Sequence, residues 1–335
     1  VSELRGGAVS NQYDTRRASQ ETISGFPPPP GSSRARYQLA MLTTKRKIAL
    51  ARMLNCAIVG TRALAGRPSR VIVRRRDVNW ELDLNEGIDL AIYLGLYQRI
   101  PRRAARWITP GALVLDIGAN IGAHSLPLAR AVGNDGLVVA VEPTDYAFSR
   151  LQANAALNSE LESRLVLVQA ALTAGTDRPD RKENAHFYSR WPLKRGGGDR
   201  HAKHLGALEA ATGARFLTVD GLLQEVRTKH RIDRPVAFVK LDVDGHELDV
   251  LRGATQLLLQ KPPILIEVGA HVQDEVPHRF EELIRMFETH GYRFEAGDTG
   301  KKLPMSAPAL RALIGDGATI DVIARADNPN PFLPN

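Results

Sequence analysis

Leu113-Val114-Leu115-Asp116-Ile117-Gly118-Ala119-Asn120-Ile121-Gly122, continuing through Ala123-His124-Ser125 into Leu126-Pro127-Leu128-Ala129-Arg130, decides how the chain is read. The apolar run predicts a buried parallel strand. Its glycines predict a tight turn that a ligand approaches closely, and the next residues have helical spacing. Strand, loop and helix in that order form a nucleotide-holding unit.

The glycine spacing narrows the nucleotide. A dinucleotide fold wants G-x-G-x-x-G, so that a pyrophosphate sits against the helix N-terminus. Here Asp116-x-Gly118-x-x-x-Gly122 has Asn120 where the second glycine belongs. S-adenosylmethionine carries no phosphate but has a sulfonium, an ammonium and a carboxylate. Asp116 at the strand end suits the amino group, directly or through water, and the loop backbone of Gly118, Asn120 and Gly122 suits the methionine portion and ribose. A second apolar run, Leu137 to Val141, ends in Glu142-Pro143. An acid roughly 20 residues past the glycines suits a ribose diol.

Composition bounds the rest. With 335 residues and 43% hydrophobic content, one large α/β domain with extensions is expected. No apolar run approaches the roughly 20 residues that span a bilayer. The single cysteine, Cys56, excludes an intramolecular disulfide and a cysteine-rich zinc site, and reads as buried helix filler. The net charge of +8 is uneven: residues 1–110 hold 19 Lys plus Arg against 8 Asp plus Glu. The cofactor domain is therefore nearly neutral, and the basic amino-terminal part is a candidate for anionic lipid, nucleic acid or a phosphorylated sugar donor, beside the bland reading of a solvated face.

Residues 1–38, with Pro27-Pro28-Pro29-Pro30 and no periodicity, read as disordered or loosely attached. Neither a signal peptide nor a transit peptide is indicated, so a cytoplasmic location is expected. Residues 39–109 read as a helix, a strand pair around Arg76-Asp77, and a lid over the cofactor pocket that includes Tyr93, Leu96 and Tyr97. Residues 110–326 read as the cofactor domain and 327–335 as a frayed tail. Ala170 and Ala171, after the third strand at Arg164 to Val168, are small enough to leave room for adenine. The polar stretch 173–213, with Phe187, Tyr188 and Trp191 among cations, reads as a substrate-side loop.

A second chemical centre follows. Val236 to Leu241 predicts a buried strand capped by Asp242-Val243-Asp244-Gly245-His246-Glu247, and Pro263 to Ile266 a strand ending at Glu267, with His271 beyond. Ligands of an open parallel sheet collect past the carboxyl ends of its strands. Asp116, Glu142, Asp242 and Glu267 all stand at such ends. Tyr292 to Glu295 and Thr319 to Ala324 predict two last strands, one antiparallel.

These residues together resemble the FkbM-type methyltransferases, a branch of the Rossmann-like S-adenosylmethionine-dependent enzymes. The carriers are Leu115 to Gly122, Val141-Glu142-Pro143 and, most specifically, Phe238 to Glu247, with Trp80 to Leu96 resembling the segment before the first motif. Similarity spans residues 70–325. The chain departs from the family at Gln98, where Glu is common, and at Asp244, where Asp-Val-Glu-Gly is usual. The resemblance implies a mostly parallel seven-stranded sheet with helices on both faces, and methyl transfer to a hydroxyl of a sugar, glycan or secondary metabolite.

Methyl transfer is an in-line displacement, so acceleration comes from holding the acceptor at roughly 3 to 3.5 Å and assisting loss of its proton. The candidate groups are Asp242 first, then His246, Glu267 and His271. Asp242, Asp244 and Glu267 are also a candidate set for magnesium, which prefers carboxylates and retained water. Bland readings stand beside these: Asp244 and Glu247 cap the following helix, Lys240 is a structural ion pair, and His124 is packed or capping. Two other functions are weighed, an RNA ribose 2′-O-methyltransferase and a non-catalytic cofactor-binding regulator.

Overall fold

The order of elements follows from where apolar runs end. The computed structural model describes residues 44–97, 100–175, 185–194, 206–270, 278–315 and 318–326. The readings for 1–38, Gln98, His271, 327–335 and much of 173–213 lie outside the described residues. Helix α1 (Thr44–Leu64) leads into strands β1 (Arg70–Arg75) and β2 (Val78–Asp83), then helix α2 (Gly87–Tyr93). Strand β3 (Leu113–Ile117), helix α3 (Ser125–Ala131), strand β4 (Leu137–Val141), helix α4 (Asp145–Ala156) and strand β5 (Leu165–Val168) form the first half of the sheet. Short strands β6 (Ala170–Leu172), β7 (His186–Arg190), β8 (Ala207–Ala210) and β9 (Arg215–Leu217) precede helix α5 (Val219–His230). Strand β10 (Val236–Leu241), helices α6 (Glu247–Arg252) and α7 (Thr255–Leu259), and strand β11 (Ile264–Val268) come next. Helix α8 (Arg279–Thr289), strand β12 (Tyr292–Ala296), helix α9 (Ala307–Ile314) and strand β13 (Ile320–Ala326) complete the described chain.

The central sheet has seven strands in the order β12-β13-β11-β10-β3-β4-β5. β13 runs antiparallel to both neighbours, and the pairs from β11 to β5 are parallel. This is the predicted α/β class. Every residue of β3, β4 and β10 is buried, as sheets covered on both faces require. The two-residue period sends Leu113, Leu115 and Ile117 into one core, with Phe280, Phe287 and Phe294, and Val114 into the other, with Trp80, Trp107 and Phe238.

The β1–β2 ribbon turns at Arg76 and Asp77, both with positive φ (53° and 63°), the conformation of a two-residue type I′ hairpin. Side chains of α4, and of Asn158 just beyond it, then satisfy the free edge of β2. Asn154 Oδ1 accepts from Glu81 N and Asn158 Oδ1 from Asn79 N, each at 2.8 Å. Arg150 donates to Glu81 O at 2.7 Å and to Asp89 at 2.8 Å. Buried asparagines with both ends bonded satisfy the backbone groups that the ribbon leaves unpaired.

Three details differ from expectation. Ala170 and Ala171 belong to β6, which pairs in parallel with β9 and is buried in the core; the chain bends after Val168 instead of extending toward a ligand. Residues 186–190 and 207–210 pair as an antiparallel hairpin inside the stretch read as loop, because neither segment has enough apolar alternation to mark a strand. Cys56 is exposed, since α1 packs through a different face.

A Cβ built on Gly118, whose φ is +81°, falls 1.8 Å from the carbonyl oxygen of Asp242. Gly118→Ala is expected to cost about 3 kcal/mol or more in urea unfolding. Gly60→Ala, which meets nothing within 4 Å, is expected to stabilise α1 by about 0.5 to 1 kcal/mol.

Candidate active site

Register places the chemistry. Lys240 of β10 lies opposite Asp116 of β3, and Leu241 opposite Ile117, so loops 118–122 and 242–246 leave the sheet side by side. Asp242 N donates to Ile117 O at 3.1 Å, and Gly118 N and Ala119 N both donate to Val141 O at 2.9 Å. Lys240 Nζ sits between them, 2.7 Å from Gly118 O, 3.3 Å from Asp242 Oδ2 and 3.5 Å from Asp116 Oδ1. Burial works against the charge of Lys240, but the carboxylates of Asp242 and Asp116 outweigh it and hold the ammonium above its ordinary pKa. The lysine is thus the ion-pair centre that its mid-strand position implied. Asp116 is closed from solvent: Oδ2 accepts from Ser125 Oγ at 2.6 Å, and Oδ1 has no hydrogen bond, facing only the lysine.

Asn120, at φ 49°, is the hub of the glycine loop. Its backbone N donates to Glu142 Oε2 at 3.0 Å, its Nδ2 to Ser189 O at 2.8 Å, and its Oδ1 accepts from Ile121 N at 2.9 Å. Glu142 Oε1 accepts from Thr144 N at 3.0 Å and Thr144 Oγ1 at 2.5 Å. Burial raises the Glu142 pKa, against the lowering effect of these bonds. A carboxylate offers about four acceptor positions. One remains, on Oε2.

A solvent-open cleft covers these groups. Gly118, Ala119 and Asn120 form its floor, and Glu142, Asp242 and Asp244 supply carboxylates against Lys240 and His124. Tyr97, Phe187, Tyr188 and Trp191 supply aromatic surface. Of the residues singled out from sequence, Gly118, Asn120, Glu142, Asp242 and Asp244 therefore meet at one cleft.

The others lie elsewhere. Gly122, at φ +90°, packs against Leu151, and Ala170 is in the core. Tyr93 sits under the Arg75 guanidinium, 5.2 Å from its ring centre; Tyr97, four residues on, is the lid residue at the cleft. Burial first, then the charges of Asp242 and Asp116 against the lowering effect of Lys240, raise the Tyr97 phenol, so it stays protonated at neutral pH. His246 meets Phe187 edge-on at 5.3 Å. Glu267 accepts from Thr319 Oγ1 at 2.5 Å and lies one strand over. Glu247 accepts from Val243 N and Gly245 N at 3.2 and 3.3 Å, bonds that brace the 242–246 loop ahead of α6 and do not cap the helix itself.

Among the described residues no group of three or more His, Cys, Asp or Glu is placed to hold a metal ion. Asp242, Asp244 and Glu267 do not come together as such a group, so they do not fit magnesium. They crowd one another instead. Desolvation, then the charges of Asp242, Glu267 and Glu247, hold Asp244 well above the usual carboxylate range. Desolvation, then Asp242 and Asp321, push Glu267 up to about 8.

Sequence spacing gave no sign of the clamp on the hairpin. Arg190 bridges Glu86 at 2.6 Å and Glu209 at 2.9 Å, above the Tyr146 ring at 4.5 Å. Thr144 Oγ1 reaches Ser189 Oγ at 3.0 Å. The aromatic side of the cleft is thereby tied to α2, α4 and the Glu142 loop.

Residues 116–294, a little over half the chain, match the family described as Methyltransferase FkbM domain. No curated protein matches the sequence. Solved structures that resemble it include a putative rRNA-methylase from Clostridium thermocellum, with 13% identity, 70% of this chain and 98% of that chain covered, and a TM-score of 0.38. A SAM-dependent O-methyltransferase from Thermotoga maritima has 13% identity, 79% and 81% coverage, and a TM-score of 0.38. Methyltransferase FkbM from Methylobacillus flagellatus KT has 15% identity, 64% and 44% coverage, and a TM-score of 0.35.

Because Glu267 binds its proton more tightly folded than unfolded, it opposes folding once it must ionise. Stability is expected to fall as pH rises from its ordinary 4.5 through about 8. Thermal midpoints taken from pH 5 to 9 are expected to decline in the wild type and to decline less in Glu267→Gln. The variant gains about 2 to 4 °C per kcal/mol relieved; parallel curves would remove Glu267 as the titrating group.

Proposed function

The chain belongs to the FkbM methyltransferase family and is an S-adenosylmethionine-dependent methyltransferase; from that premise we propose that it methylates a hydroxyl of an uncharged sugar, glycan or hydroxylated secondary metabolite. The charge of the cleft carries this reading. Three carboxylates line it against one lysine, and that lysine is engaged by Asp116, Asp242 and the Gly118 carbonyl. A cleft whose one lysine is already paired has no spare ammonium for a polyphosphate backbone, which argues against an RNA acceptor. The flanking Tyr188 and Trp191 suit the apolar face of a sugar ring.

The residues fit the cofactor. Glu142 keeps one acceptor position on Oε2 for a ribose hydroxyl, fewer than the two bonds expected from sequence, and Gly118, Ala119 and Asn120 line the cleft beside it. Bound S-adenosylmethionine supplies an activated methyl group on a positively charged sulfur. Asp116 acts at one remove, by fixing Lys240. Asp242, with its side chain 39% exposed, is the carboxylate in reach of an acceptor. It takes the hydroxyl proton as the oxygen attacks, and Lys240 holds its position. The Tyr97 phenol is a donor that orients the acceptor. His246 and Glu267, set back from the cleft, shape the surface on which Asp242 stands.

Methyl release from labelled cofactor, measured with neutral glycosides and with RNA, tests the acceptor: turnover on RNA alone would overturn the reading. Asp242→Asn is expected to lower kcat by about 10²- to 10⁴-fold with cofactor affinity by calorimetry changed less than about threefold. Glu142→Ala is expected to weaken cofactor binding by about tenfold or more, because a buried bonded carboxylate is lost.

A further inference from the structure

The methyltransferase chemistry leaves one built surface unused. α1 is seated by a single face, where Ala51, Leu54, Ile58 and Val59 pack toward Leu84, Leu90 and Leu193, and buried Asn55 donates to Leu84 O at 2.7 Å. The other face of the same helix exposes Ala49, Met53, Cys56, Ala57, Gly60 and Leu64, with no charge among them. A helix that is apolar on both sides ordinarily has both covered. Met53 is 64% and Leu64 91% exposed, and Ile72 on the outer face of β1 is 68% exposed. Half of the six large hydrophobic side chains exposed among the described residues lie in this one segment.

The surrounding charge has one sign. From Lys45 to Arg76 the chain carries ten cations and no acidic residue, and Arg67 and Arg70 are exposed between Leu64 and Ile72. Two copies meeting through this face would oppose cation to cation. Nucleic acid would satisfy the arginines but not the uncovered Met53 and Leu64. An anionic lipid surface satisfies both, since interfacial helices bury an apolar face among acyl chains while basic side chains meet headgroups. No helix among the described residues is long and apolar enough to cross a membrane, so the contact lies in the membrane plane.

We infer that the outer face of α1, together with the exposed side of β1, docks this enzyme on an anionic bilayer surface. Full-length protein is sedimented with phosphatidylcholine vesicles and with vesicles of phosphatidylcholine mixed with phosphatidylglycerol. Binding is expected only to the mixed vesicles and to weaken with salt. Arg67→Ala with Arg70→Ala is expected to lower the partition about fivefold per arginine. Met53→Asp with Leu64→Asp is expected to lower it about tenfold or more, with an unchanged thermal midpoint showing that the fold is intact. Equal binding to neutral vesicles, or none to either, overturns the inference. So does mixed-vesicle binding that ignores the Met53 and Leu64 changes. Salt-sensitive RNA binding that survives the aspartates would assign the surface to nucleic acid, and concentration-dependent self-association lost in them would assign it to a second copy.

Discussion

A single buried ammonium holds the centre of this molecule together. Lys240 is 5% exposed and bonds to the Gly118 carbonyl while facing two carboxylates on two adjacent strands. A charge in a sheet interior is tolerated only when it is paired and hydrogen-bonded. Removing it would take from buried Asp116 the cation that faces its Oδ1 and leave it only the Ser125 hydroxyl on Oδ2, a loss of the order of 3 to 5 kcal/mol for broken buried pairs. The same contact fixes where the glycine loop leaves β3 and where Asp242 leaves β10. Site geometry and core stability are therefore one constraint.

The close approach of those two loops explains the glycine. Asp242 O occupies the place of a side chain at Gly118, so the loop accepts no other residue without moving the acid away from the lysine. A second constraint closes the cleft from the opposite side. Arg190 is held by Glu86 and Glu209. Burial opposes its charge, and the hydrogen bonds of the two carboxylates outweigh that opposition and raise its pKa. Glu86, by contrast, is raised because its burial exceeds what Arg190 returns. The pair spans the β7–β8 hairpin and the start of α2, and so sets Tyr188 and Trp191 against the cofactor loop.

The fold was legible because buried parallel strands are short, continuous apolar runs, and each here ends in a residue that such a run would not contain: Asp116, Glu142, Asp242, Glu267. The strand pair around Arg76-Asp77 and the last antiparallel strand were legible for similar local reasons. Reading failed where structure depends on partners distant in the chain. Ala170 looked like a ligand-facing strand end, yet its pairing with β9 turns it into the core. Tyr93 and Tyr97 share one segment, and only the packing of Arg75 on Tyr93 separates them. Cys56 looked like filler because a helix apolar on both sides does not announce which side is inside.

What the sequence by itself determined is the class of sheet, the strand-end acids and the glycine loop, since these follow from periodicity and from the sterics of a few consecutive residues. Tertiary structure alone decided which acids share a cleft. Asp242 and Asp244 reach it beside Glu142, while Asp116 is sealed beneath Lys240 and Glu267 stands one strand away, because strand order and register, and not proximity in the chain, set the distances between charges. It also decided that the carboxylates crowd without forming a metal cluster among the described residues, and that a clamp between Glu86 and Arg190, far apart in sequence, closes the site. Long-range pairing is paid for by burial summed over the whole core, and no local run of residues encodes that sum.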